Sequence, residues 1–77
     1  MLAFVFVECA AGMELHAKAA VEKVRGVLEV HAITGGVYDM VVKVDEAEAR
    51  LQDIIQQIRE VSGVSSALTS IVYENAG

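Results

Sequence analysis

The 77-residue sequence has no tryptophan, two phenylalanines, two tyrosines, two histidines and a single cysteine. Each scarcity closes off a class of protein. A lone Cys9 excludes an intrachain disulfide framework, and with His16 and His31 as the only imidazoles the donors for a structural zinc site are not assembled. No metal or other cofactor is implied. Cation is scarce too: six basic residues stand against eleven acidic ones, for a net charge of −5. Phosphate binding needs clustered Lys or Arg, so nucleic acid is not an expected partner. Long apolar runs are also missing. Met1–Val7 is apolar but has no basic flank and stops at Glu8, too short for a signal peptide or a membrane span. A reducing cytoplasm and no membrane partner are the expectation.

What the chain has in quantity is aliphatic side chain, with hydrophobic residues at 55%. The core must then be built from Val, Ile, Leu and Ala. Residues 1–77 are long enough for one domain, and a chain this short buries only about 60% of its unfolded surface. Such a chain often completes its burial by oligomerising.

Residues 2–8 are apolar at both parities, with Leu2, Phe4 and Phe6 on one face and Ala3, Val5 and Val7 on the other, as in a strand covered on both sides. Ala10-Ala11-Gly12 breaks the run. Met13, Ala17, Ala20, Val21 and Val24 then recur at helical spacing, with Glu14 and Lys18 paired i,i+4 on the wet side and Gly26 near the helix end. Val27–Ile33 alternates as a second strand, with Leu28, Val30 and Ala32 on its apolar side and Glu29 and His31 opposite. Gly35-Gly36 allows positive φ at both central positions of a tight hairpin connection, and a third strand carries Met40, Val42 and Val44 on one face. Asp45-Glu46-Ala47-Glu48 reads as a capping box opening a helix whose stripe is Leu51, Ile54, Ile55, Ile58 and Val61. A last strand spans Ala67 to Tyr73, with Leu68, Ser70 and Val72 alternating with Thr69, Ile71 and Tyr73, and residues 74–77 form a short frayed tail. No repeat of 20 to 50 residues is evident.

This order, βαββαβ, predicts an α+β, ferredoxin-like fold: a four-stranded antiparallel sheet with two helices on one face. The face without helices is assigned Phe4, Phe6, Ile33, Val41 and Ile71, which is too apolar to leave in water.

Candidate functional residues are few. Tyr38 and Asp39 follow the glycine turn, where free backbone amides lie close to a carboxylate. Asp39 there has two readings, a ligand contact or a structural acceptor for nearby turn amides. Glu29, His31 and Lys43 are ionisable groups on the uncovered face, readable as an active site or as cross-strand pairs at an interface rim. His16 reads as solvated, and Cys9 as a small buried filler rather than a nucleophile. No phosphate-cradling motif is present, since Gly35-Gly36 joins two strands instead of opening a helix.

Thr34-Gly35, Tyr38-Asp39, the strand ending at Val44, the helix Leu51 to Val61, Gly63-Val64 and Leu68-Thr69-Ser70-Ile71-Val72 together make the whole chain resemble a known family. It is similar to the RAM domain of the leucine- and asparagine-responsive (Lrp/AsnC) transcription regulators, particularly the stand-alone type without a DNA-binding half. The resemblance implies a dimeric α+β barrel-like assembly with face-to-face sheets, further association into octamer- or decamer-like rings, and an amino-acid effector bound between dimers near the hairpin. It implies a site of Gly36, Tyr38, Asp39 and Thr69, no catalytic residue, and a DNA-binding regulator of the same family as partner. Two features depart from the family pattern. Val37 lengthens the usual gap between Thr-Gly and Tyr-Asp by one residue, and Ala67 stands where Thr-x-Thr often begins.

The function implied is a non-enzymatic effector-binding and oligomerisation module of transcription regulation. The alternative is a small dimeric α+β barrel enzyme, similar to monooxygenases or isomerases with this element order, for which only His31, Glu29 and Lys43 supply acid or base groups. An ACT-type amino-acid-binding module is close to the first in function.

Overall fold

The computed structural model describes residues 1–73; the tail expected at 74–77 lies outside the described residues. The elements are β1 (Leu2–Cys9), α1 (Glu14–Glu22), β2 (Val27–Ala32), β3 (Met40–Asp45), α2 (Glu48–Arg59) and β4 (Val64–Ile71). The strands form one antiparallel sheet in the order β2-β3-β1-β4, the ferredoxin-like arrangement expected.

Alternation in β1 sorts its side chains cleanly. Ala3, Val5 and Val7 are fully buried beside Val42, Val44, Leu51, Ile54 and Ile58, so this face carries the helices and the core. Leu2, Phe4 and Phe6 point to the other face and are half-buried. The α2 stripe falls as the 3.6 period requires, with Leu51, Ile54, Ile55 and Ile58 buried and Val61 packed against them.

Several local expectations are corrected. Asp45 does not cap α2; the helix starts at Glu48 after Ala47 with no side-chain cap, and Asp45, the last residue of β3, instead binds the amino terminus of Met1 at 3.1 Å. On α1 the ion pair is Lys18–Glu22 at 3.2 Å, while Glu14 Oε1 accepts from the Gly12 N–H at 2.6 Å. The helix ends at Glu22, short of Gly26. A register shift between Val27 and Glu29 breaks the parity of β2, so Val27 and Val30 pack on the core while Leu28 is 57% exposed.

The parity of β4 is the reverse of that expected. Thr69 lies opposite Val5, Ile71 opposite Ala3 and Ala67 opposite Val7, so these three share the helix-covered face; Leu68 and Ser70 lie opposite Phe6 and Phe4 on the open one. The strand also starts earlier, at Val64. The open face therefore gains Leu68 and loses Ile71.

Two glycines let the helices close onto the sheet. Gly26 (φ 103°) and Gly63 (φ 96°) each precede a strand, and a side chain on Gly26 would strike Ile54, while one on Gly63 would meet Met13 Cβ at 2.8 Å. Gly63→Ala combines left-handed backbone with that clash and is expected to destabilise the fold by about 2 kcal/mol or more, read as a lower urea midpoint at unchanged m-value.

Candidate functional site

The β2–β3 connection is seven residues long, 33–39, not a tight two-residue turn. Only Gly35 has positive φ, at 96°; Gly36 does not. The extra length leaves a loop whose base is tied at three points. Ile33 N–H donates to the Asp39 carbonyl at 3.0 Å, Asp39 N–H donates to the Val7 carbonyl at 2.8 Å, and Asp39 Oδ2 accepts from the Cys9 N–H at 2.7 Å. Asp39 thus serves the end of β1, across the sheet, instead of the turn amides of its own loop. It is a structural acceptor whatever else it does.

Tyr38 lies against Phe6, ring centroids 5.8 Å apart and planes tilted by 50°. That contact extends the open-face row of Phe6, Val41 and Leu68 out to the hairpin. Around Gly36 there is open space, with nothing within 4 Å of where a side chain would begin. Thr69 lies elsewhere: as the partner of buried Val5 it belongs to the opposite face of the sheet from Phe6, and its Oγ1 is buried without a hydrogen-bond partner. One chain therefore brings Tyr38 and Asp39 together at an open loop but does not bring Thr69 to them.

Cys9 is buried, and burial, followed by the negative charges of Asp39 and Glu14, pushes its thiol above the ordinary range. A neutral thiol in that setting is filler, not nucleophile.

The ionisable cluster of the open face has formed one cross-strand pair, Glu29–Lys43, and one pair within β2, Glu29–His31. Glu29 Oε2 binds Lys43 Nζ at 3.2 Å, and Glu29 Oε1 meets His31 Nε2 at 2.9 Å. The His31 hydrogen bond first, then Lys43, holds the Glu29 carboxyl below its ordinary value. A depressed carboxylate contributes stability that is present above its unfolded pKa and lost as pH falls through the lower folded one. The pairs are exposed, so the contribution is small. Glu29→Gln is accordingly expected to flatten only slightly the fall of the urea midpoint below the ordinary carboxylate range, and to leave the neutral-pH midpoint almost unchanged.

A cleft of about 340 Å³ runs along β2, lined by Glu22, Val27, Leu28, Glu29, Val30 and His31. None of the hairpin residues lines it. Apolar alternation gives no sign of this cleft, whose lining includes the residues around the β2 register shift. Among the described residues no group of three or more His, Cys, Asp or Glu is placed to hold a metal, and no helix is long and apolar enough to cross a membrane.

A ferredoxin-like sheet with one helix-free apolar face and an open loop anchored by Tyr38 and Asp39 defines the general class, a small α+β binding fold. The chain belongs to the Lrp/AsnC ligand binding domain family, whose model matches residues 2–76. Solved structures agree with that assignment. A protein of Thermus thermophilus is 26% identical with a TM-score of 0.87, over 99% of this chain and 96% of that one. AsnC of E. coli is 27% identical with a TM-score of 0.84, over 97% of this chain but 52% of that one. A feast or famine regulatory protein from M. tuberculosis, in complex with L-methionine, is 26% identical with a TM-score of 0.77, over 99% of this chain and 52% of that one. The chain thus spans about half of the latter two regulators. A homocitrate synthase of Sulfurisphaera tokodaii is 50% identical over 50 residues, which are 64% of this chain and 11% of that enzyme.

Proposed function

We propose that the chain is a non-enzymatic module that binds an amino-acid effector, assembles with copies of itself and modulates a partner regulator of the Lrp/AsnC family in the cytoplasm. The observation that carries this is the family match across nearly the whole chain, joined by a structural relative that holds L-methionine. The effector site is Gly36, Tyr38 and Asp39. An amino acid needs an anion for its ammonium and donors for its carboxylate. Asp39 Oδ1 makes no hydrogen bond among the described residues and takes the first. Loop amides near Gly35 to Val37 take the second. Thr69 joins this site only if its Oγ1, buried on the helix-covered face of every copy, is uncovered.

The open face supports a dimer with sheets packed face to face, and higher rings of octamer or decamer size follow from dimers meeting near the hairpins. DNA contact falls to the partner regulator, since this chain carries net charge −5. The enzyme alternative has less support: Glu29, His31 and Lys43 satisfy one another on an exposed surface rather than line a covered cavity.

A second reading has its own observation. The half-identical stretch within homocitrate synthase favours an enzyme, such as a homocitrate synthase, as the regulated partner in place of a DNA-binding protein. The module itself is the same in both cases. A melting-temperature screen of the twenty amino acids at millimolar concentration tests the shared claim. At least one is expected to raise the transition, since a hundredfold excess over Kd stabilises by about 2.7 kcal/mol. No shift with any of them contradicts it.

A further inference from the structure

The sheet has two edges, β2 and β4, and they are not equivalent. The Val72 N–H donates to the Leu2 carbonyl at 2.9 Å, so strand alternation directs the backbone groups of Ala67, Thr69 and Ile71 outward along β4. That edge is partly closed, because Arg59 Nη2 donates to the Ala67 carbonyl at 3.2 Å. On the other side, Ile33 N–H bonds the Asp39 carbonyl and Glu46 N–H bonds the Met1 carbonyl. Both bonds fix the same alternation in β3. The backbone groups of Glu29 and His31 then face Lys43 and Val41, while those of Val30 and Ala32 face outward beside the β2 cleft. Among the described residues nothing bonds them.

We propose that this edge pairs with the β2 edge of a second copy, antiparallel and centred on Val30, to join two sheets into one of eight strands. In this register Val30 lies opposite Val30 of the second copy and Ala32 opposite its Leu28, which covers a leucine now 57% exposed. Glu29 of each chain stands opposite His31 of the other. The side chains choose the register. Moving the centre by one residue keeps the outward groups in hydrogen-bonding phase but sets either Glu29 on Glu29, two like charges directly opposite, or His31 on His31, which takes the facing imidazole from each Glu29. The register shift at Leu28 ends the ladder, which accounts for a short, specific junction rather than an open-ended one.

Two full-length single variants test it, Glu29→Cys and His31→Cys, with the native Cys9 left buried. Opposed residues of a non-hydrogen-bonded antiparallel pair have Cα atoms about 4.5 Å apart, within disulfide range. Mild oxidation of the mixture is expected to give a covalent dimer holding one of each variant, in excess of what either gives alone. Adding Ala32→Pro to both removes an outward donor without touching the β2–β3 ladder, and is expected to lower that yield about tenfold. In the wild type, the Val30 and Ala32 amides are expected to gain hydrogen-exchange protection as protein concentration rises. Absence of the mixed disulfide, a yield indifferent to Ala32→Pro in a folded protein, or concentration-independent fast exchange at both amides overturns the proposal. An indifferent yield would point instead to proximity across the open sheet face.

Discussion

Phe6→Glu is expected to abolish the face-to-face contact of the open sheet faces, leaving a folded chain that associates at most through its β2 edge. Phe6 sits at the middle of the open face, opposite Val41 on one side and Leu68 on the other, with Tyr38 against its ring. Its strand neighbours Val5 and Val7 point into the helix-covered core, so the monomer's own packing does not depend on it. A carboxylate at that position, sealed against a second apolar sheet without a partner, costs several kcal/mol, and self-association should weaken by about a hundredfold or more. Sedimentation velocity at micromolar protein reads the loss, and an unchanged far-ultraviolet spectrum shows that the fold is kept. A wild type that is already a stable monomer at that concentration, or a Phe6→Glu protein whose assembly is as large as that of the wild type, would contradict the role given to this face.

The second large effect is expected at Asp39, where two roles meet in one carboxylate. Asp39→Ala removes the acceptor of the part-buried Cys9 N–H. Leaving that donor unpaired costs about 1–3 kcal/mol, or roughly 5–15 °C in the ligand-free melting temperature of a chain this size. Any amino-acid-induced shift should vanish with it. Asp39→Asn separates the roles, because its amide oxygen can still accept from Cys9 while the charge that meets an ammonium is gone. It should melt near the wild type without ligand and gain little on adding one. An Asn variant that keeps the full ligand shift would remove Asp39 from the effector site and leave it to structure alone.

The architecture was legible because the core residues obey simple periods. Ala3, Val5 and Val7 alternate, Leu51, Ile54, Ile55 and Ile58 recur by threes and fours, and only one face of the sheet has helices to cover it. The errors fall where local chemistry offers two equal choices. In β4 each parity carries both apolar and hydroxyl side chains. Composition does not choose between them; strand pairing does, with Ala67, Thr69 and Ile71 opposite Val7, Val5 and Ala3 on the helix-covered face and Leu68 and Ser70 on the open one. The cost is visible in the buried, unpartnered Thr69 hydroxyl. Asp45 has the spacing of a cap, yet strand pairing with Leu2 holds it in β3 and the helix begins later.

The candidate site was only half legible. Tyr38 and Asp39 close the loop that follows the glycines, but the loop is longer than a tight turn, the Tyr38 ring goes to Phe6 and the Asp39 carboxylate reaches Cys9, 30 residues away in sequence. No local pattern encodes that contact. Thr69 lies under the helices instead, because the parity of β4, which alternation left open, turns its hydroxyl inward.

Native mass spectrometry of the protein purified from its own host tests assembly and effector binding at once, since it weighs the oligomer and anything retained in it. The expected spectrum shows an even multiple of the chain mass, with added mass equal to an amino acid that is released on gentle activation. A bare monomer, with no added mass even after incubation with millimolar amino acids, would contradict it.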